Sequence, residues 1–193
     1  MTGTTPPRPW PGSPPGPSRA GPVVEAADEQ AAMTVDVSHF SELARGVLVA
    51  RGVRGGELSL TFVDEDTISE LNRHHLGGEG PTDVLAFPLD APTDAPAADG
   101  IPVLLGDVVV CPAQAQRNAV ARSVATDDEL ALLVVHGVLH VLGMDHAEPE
   151  EAAQMQAAER DLLARFHAPD AFWAVEHAEQ AQVPRNLAGG HRE

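Results

Sequence analysis

Three of the nine histidines fall in one short segment, HGVLHVLGMDH, at residues 136–146. His136 and His140 are four residues apart, so on a helix both imidazoles lie on the same face, one turn apart. Gly143 suits the left-handed conformation that ends a helix, and the chain beyond it can bring His146 back to the same point. Three neutral imidazoles leave one coordination position for water, which is typical of catalytic zinc. The spacing therefore predicts one Zn²⁺ per chain, bound by these three residues.

The same spacing occurs in a class of zinc proteases. The metzincin pattern H-E-x-x-H-x-x-G-x-x-H matches at every position except the Glu, which is Gly137 here. That Glu is the general base of the protease, and the metal alone does not replace it. A zinc metallopeptidase is therefore the weaker of the functions that this ligand set permits, and it would need a Glu from elsewhere in the chain.

Three segments together resemble one known family. The string H-G-x-L-H-x-x-G-x-D-H at 136–146, the block LNRHHLGGEGPTDVLAFPLD at 71–90 and the strand LLGDVVVCP at 104–112 are similar to motifs of the YbeY family of bacterial rRNA maturation factors. The motifs occur in the family's order, and the likeness extends over about residues 33–166. It implies a single-domain, zinc-dependent endoribonuclease of single-stranded RNA, which matures the 3′ end of small-subunit rRNA and acts in ribosome quality control. The implied partners are ribosomal RNA and the small ribosomal subunit or assembly proteins.

The catalytic groups beyond the zinc-bound water are less well defined. Zinc-activated hydroxide either attacks phosphorus or takes the proton of a neighbouring 2′-OH, and the sequence does not choose between them. Asp145 either orients a ligand imidazole or caps local backbone. Asp83 precedes a predicted strand and either lines the cleft or caps a turn. His75 either supplies a proton or a hydrogen bond, or it is a surface residue at a helix end.

One position departs from the family pattern. Leu76 stands where much of the family has Arg, and Gly78 stands where Lys is typical; the resemblance implies that this Arg helps to hold RNA phosphate. Arg73 lies three residues earlier. The departure favours an alternative function, a non-catalytic ribosome-assembly factor in which zinc serves stability and the protein binds rRNA or protein partners.

Composition limits the class of protein. The formal net charge is −17, and all 12 basic residues are Arg, which argues against broad, sequence-independent affinity for nucleic acid. No apolar run approaches the length of a membrane span, so no membrane partner is expected. The single cysteine, Cys111, excludes an intramolecular disulfide and fits a reducing cytoplasm.

The chain divides into three parts by composition. Residues 1–32 are rich in Pro and Gly, which predicts a disordered arm, and they contain no apolar core of a signal peptide. Residues 33–167 are long enough for one core and form the predicted zinc-binding domain. Residues 168–193 are predicted to be a flexible tail.

Hydrophobic periodicity predicts an α+β domain. Strands are expected at 33–37, from Gly56, at 83–87 and at 104–110, which gives a sheet of about four strands. Asp64 is expected to cap a short helix. The helical segments of the first half are predicted to begin near Phe40 and at Asp64.

The second half is predicted to be helical. One helix begins at Pro112, and a capping box of Thr126 and Glu129 opens the next. That second helix carries His136 and His140 and is apolar almost all round, so it should be the buried centre of the fold. The last helix begins at Pro149, and its expected core stripe consists of Met155, Ala158, Leu162 and Phe166.

Overall fold

The computed structural model describes residues 21–89 and 103–168, which form a four-stranded mixed sheet and five helices. The strands are β1 (Val23–Asp28), β2 (Glu57–Phe62), β3 (Val84–Pro88) and β4 (Leu104–Val110). The helices are α1 (Val37–Ala50), α2 (Glu65–His75), α3 (Pro112–Arg122), α4 (Thr126–Val141) and α5 (Pro149–Phe166). The predicted α+β class is confirmed.

The sheet has the order β1-β2-β4-β3, with β3 antiparallel to β4 and the other pairs parallel. Its two faces differ in what covers them. On one face Leu58, Leu60 and Val108 are fully buried under α1, α4 and α5. On the other face a smaller cluster, which includes Leu85 and Val109, packs against Ile68 of α2. The larger core therefore lies on the side of the sheet that carries α4.

Helix α4 is the centre of the fold, as its apolar composition predicts. Ten of its residues are buried, and it packs against α1, α3, α5, β3 and β4. An amphipathic surface helix would expose one polar face, whereas this helix is enclosed on most sides. Its two histidines are therefore held on a rigid element.

The first strand is not where the sequence pattern predicts it. Residues 33–36 precede α1, which begins at Val37, and the side chain of Asp36 caps that helix by accepting a hydrogen bond from the backbone N–H of His39 at 3.0 Å. Residues 23–28 form β1 instead, paired in parallel with β2. The predicted disordered arm, 1–32, is thus wrong for β1. The Pro- and Gly-rich composition ends at Pro22, and an edge strand gains its order from backbone pairing more than from its own side chains.

Two expectations for the second half also change. Helix α4 begins after Ala125 with no side-chain cap, so the predicted capping box of Thr126 and Glu129 does not form. In the expected stripe of α5, Met155 and Leu162 are buried, but Phe166 is 36% exposed. The Phe166 ring lies over Gly46 of α1, where an added Cβ would be 3.0 Å from it.

Cys111 is fully buried between β4 and α3. Burial raises the pKa of its thiol, so it behaves as a small apolar residue. Within residues 21–89 and 103–168, no helix is long and apolar enough to cross a membrane. Residues 1–20 and the expected tail from 169 onward lie outside the described residues.

Candidate metal centre

The three predicted ligands meet at the end of α4. Gly143 has φ +85°, and its N–H donates to the carbonyl of His140 at 2.9 Å, so the helix ends with a left-handed residue as predicted. The chain then turns back and brings His146 beside His136 and His140. One ring nitrogen from each lies within 4.8 Å of the other two. These three residues could hold a metal ion.

The distances fit a small tetrahedral ion. The Nε2 atoms of His136 and His140 are 3.1 Å apart, close to the roughly 3.3 Å expected for two imidazoles bound to one zinc. His136 and His140 are partly buried, whereas His146 is exposed, so one side of the centre is open to solvent. Burial, reinforced by the neighbouring His136 and His146, lowers the pKa of His140. The neutral imidazole, which is the form that binds metal, is therefore favoured.

Glu159 of α5 orients one of these rings. Its Oε1 lies 2.7 Å from Nδ1 of His136, and the residue is only 6% exposed. A proton on Nδ1 donates to Glu159 and leaves Nε2 unprotonated toward the other two histidines. Glu159 is not among the residues predicted from the sequence. The available signal is its position four residues after Met155, which makes it a charged residue on a buried helix face.

A cavity of about 390 Å³ opens beside the histidines. Its lining includes His136, His146, Asp83, Arg122 and Glu129. Its size lies within the range of about 300–1,000 Å³ that is common for small-ligand sites. Access to the histidines is therefore through a cleft whose walls carry both signs of charge.

Asp83 is the one predicted catalytic candidate that lines this cavity. Its Oδ2 accepts a hydrogen bond from Asn118 Nδ2 at 2.9 Å, and its Oδ1 accepts one from the N–H of Val84 at 2.9 Å. Both interpretations of Asp83 therefore apply, because it caps the start of β3 and also faces the cleft.

The other candidates lie elsewhere. His75 is exposed at the end of α2, with its ring edge-on to Phe87 at 5.0 Å between centroids. The Asp145 carboxylate accepts from the backbone N–H of His146 at 2.7 Å and so caps local backbone. Leu76 is 69% exposed. The cavity lining found among the described residues includes none of these three.

Gly137 explains why the chain lacks the protease base. A Cβ added to this residue would lie 2.6 Å from Cγ1 of Val108 on β4. The position that carries Glu in metzincins thus faces the sheet and has no room for a side chain. The metzincin base therefore has no place at this position, and the Glu beside the histidines, Glu159, is already hydrogen-bonded to Nδ1 of His136.

Comparisons with known proteins show which family the chain is similar to. The sequence model of the family described as Endoribonuclease YbeY matches residues 25–167. A protein named Endoribonuclease YbeY from Salinispora tropica is 48% identical over 150 residues, covering 74% of this chain and 95% of the relative. Another of the same name, from Beutenbergia cavernae, is 45% identical over 139 residues, covering 69% and 91%.

A solved structure supports the fold. The solution structure of TM1509 from Thermotoga maritima matches with a TM-score of 0.50 and 23% identity, covering 76% of this chain and 93% of that one. At this level of identity the match concerns the fold alone. The family assignment depends instead on the sequence match over residues 25–167 and on relatives more than 40% identical over most of their length. This chain belongs to the endoribonuclease YbeY family.

Proposed function

We propose that this protein is a zinc-dependent endoribonuclease that cleaves phosphodiester bonds in single-stranded ribosomal RNA. The observation that carries the proposal is a set of three converging imidazoles, open on one side to a cleft. The names of the curated relatives support RNA as the substrate. The proposed role is maturation of the 3′ end of small-subunit rRNA and ribosome quality control in the cytoplasm, with the small subunit or assembly proteins as partners.

The donor set supports zinc as the metal. Three imidazoles suit a borderline-soft ion and leave a coordination position free for chemistry. Zinc, when bound, supplies Lewis-acid chemistry by polarising a phosphoryl oxygen and lowering the pKa of water. His136, His140 and His146 are the proposed ligands, and Glu159 holds the first of them in the tautomer that presents Nε2.

Asp83 is the proposed acceptor in the cavity that His136 and His146 also line. Its carboxylate is fixed by donors from Asn118 and Val84, so it is oriented before a substrate enters. An ionised carboxylate is only an acceptor, which suits it to receive a hydrogen bond or a proton from a 2′-OH. Asp145 acts indirectly, because it stabilises the turn that carries His146. His75 has no part in the proposed reaction.

The first test is metal content together with RNA cleavage. Native mass spectrometry of the full chain and its His140→Ala variant should show one zinc in the wild type and none in the variant. Structured ribosomal RNA, incubated with each, should be cleaved only by the wild type, and a chelator should abolish that cleavage. His74→Ala is the matched control, because His74 is an exposed histidine outside the cavity lining. It should keep both properties.

The alternatives give different results. If zinc is bound and needed for stability but no RNA is cleaved, the protein is an assembly factor and not a nuclease. If the purified protein contains a different metal and still cleaves RNA, the proposed metal is wrong and the proposed reaction stands.

A further inference from the structure

Arg122 stands apart among the residues that line the cavity. Of the lining residues in the described part of the chain, it is the single Arg or Lys. Its side chain is 42% exposed, so it reaches solvent from the wall of the cleft. The lining also includes the carboxylates of Asp83, Glu129 and Glu159. A polyanionic substrate that enters this cleft therefore meets one permanent cation of the protein.

The guanidinium is held from beneath by a buried carboxylate. Nη1 of Arg122 lies 3.1 Å from both oxygens of Glu129, which is 1% exposed. Among residues 21–89 and 103–168, Glu129 is the one partner found for this guanidinium. A guanidinium has five N–H groups in a fixed plane. Glu129 thus fixes the orientation through one nitrogen and leaves the remaining donors to a ligand.

The two elements that carry this pair also fix its place relative to the histidines. Arg122 is the last residue of α3, which ends there because Ser123 adopts φ 59°. Glu129 lies on α4 seven residues before His136, which is two turns earlier on the same helix face and roughly 10 Å along the axis. The guanidinium is therefore displaced from the metal centre along the cleft. That displacement suits a neighbouring phosphate better than the phosphate that reacts.

We infer that Arg122 binds the backbone phosphate adjacent to the one that is cleaved. The inference rests on the proposed function and adds to it a residue that holds the RNA strand. Arg pairs with two oxygens of one phosphate in a planar, bidentate contact, which fixes position as well as charge. A phosphate contact carries no base specificity, so this residue sets affinity and register along the strand.

The competing explanation is purely structural, because Arg122 could serve only to neutralise buried Glu129. The two roles separate in a set of full-length, zinc-loaded variants. Arg122→Gln removes the contact, and Arg165→Gln is the matched control. Arg165 is exposed on α5, pairs with Asp161 and is outside the cavity lining. Both variants change the net charge equally.

Two measurements report on the RNA contact. Fluorescence anisotropy with a short fluorescein-labelled single-stranded RNA gives affinity and its salt dependence, and cleavage kinetics give KM and kcat. Arg122→Gln should weaken binding roughly tenfold to a hundredfold and reduce the slope of log affinity against log salt by about 0.7. The loss should appear in KM, with kcat little changed. Arg122→Lys should recover part of the affinity, since it keeps the charge.

A double variant removes the structural explanation. Arg122→Gln leaves Glu129 buried without a cation, which destabilises the fold. Adding Glu129→Gln removes that charge, so the double variant should regain free energy of unfolding, measured with urea, while its RNA affinity stays weak. The inference is overturned if the double variant binds RNA as the wild type does, or if Arg122→Gln behaves like Arg165→Gln. A wild-type protein that neither binds nor cleaves RNA refutes the proposed function itself, which is a different result.

Discussion

Substitution of Gly137 by Ala tests how closely the metal helix is fitted to the sheet. Gly137 directly follows His136 on α4, and an added Cβ would lie 2.6 Å from Cγ1 of Val108 and 3.3 Å from Cγ2 of Val84. Carbon atoms in contact are normally about 3.5–4.0 Å apart. Val108 is fully buried and its χ1 is stiff, so its methyl group has nowhere to move. The helix must shift away from β4 by about 1 Å.

The free energy of unfolding combines two opposing terms. Ala is favoured over Gly within a helix by about 1 kcal/mol. An extra methyl group in a well-packed core costs about 1–3 kcal/mol, and a contact this short belongs at the upper end. We therefore expect Gly137→Ala to destabilise the protein by roughly 1–2 kcal/mol. Because the shift moves the helix that carries His136 and His140, zinc affinity should fall as well.

Urea unfolding of the metal-free full chain measures the first effect, and competition with a chelator measures the second. Gly55→Ala is the matched control, since its added Cβ meets nothing within 4 Å. It should be neutral or slightly stabilising. Val108→Ala removes the obstructing methyl group, so a double-mutant cycle with Gly137→Ala should give a favourable coupling of about 1 kcal/mol or more. Full stability of Gly137→Ala, or a coupling of zero, would refute this account of the helix–sheet contact.

Three further predictions follow from single contacts. Glu159→Ala should weaken zinc binding roughly tenfold to a hundredfold in chelator competition, because His136 loses the carboxylate that fixes its tautomer. Glu159→Gln should lose less zinc affinity, and equal losses of affinity in the two variants would argue against this role. Ser123→Gly should raise the urea midpoint by relieving a left-handed φ of 59°, a gain of about 0.5–1 kcal/mol, and a lower midpoint would contradict it. His167→Ala should lower the free energy of unfolding by about 1–2 kcal/mol, since Nε2 of His167 lies 3.0 Å from Asp128 Oδ1 at the start of α4; an unchanged urea midpoint would show that this contact adds nothing.

The convergence of the three histidines could be predicted because their geometry is local. A helical period of four residues and a helix-ending Gly143 determine where His136, His140 and His146 lie, with little help from the rest of the chain. Glu159 could not be assigned in the same way. It is 23 residues from its partner His136, and the two meet only because α5 packs on α4.

The missed elements share a physical cause. Residues 23–28 have little strand character of their own, and their order comes from pairing with β2, which lies almost thirty residues further along the chain. Glu129 has the spacing of a capping box with Thr126, but its side chain pairs with Arg122 of the preceding helix instead. In both cases a tertiary contact outweighs a local preference, and a pattern within a few consecutive residues does not predict such a contact.

The charge of the cleft reconciles an acidic chain with an RNA substrate. Asp83, Glu129 and Glu159 all line the cavity, yet each accepts a hydrogen bond from a neighbouring amide, guanidinium or imidazole. Glu129 and Glu159 are paired with Arg122 and His136, which they position, and Asp83 remains as the carboxylate that faces the cleft. In the proposed function, the remaining donors of Arg122 and the metal centre face the RNA strand. Surface charges beyond about 8–10 Å are largely screened at physiological salt. The local field at the cleft, and not the formal net charge of −17, therefore decides whether a phosphate is accepted.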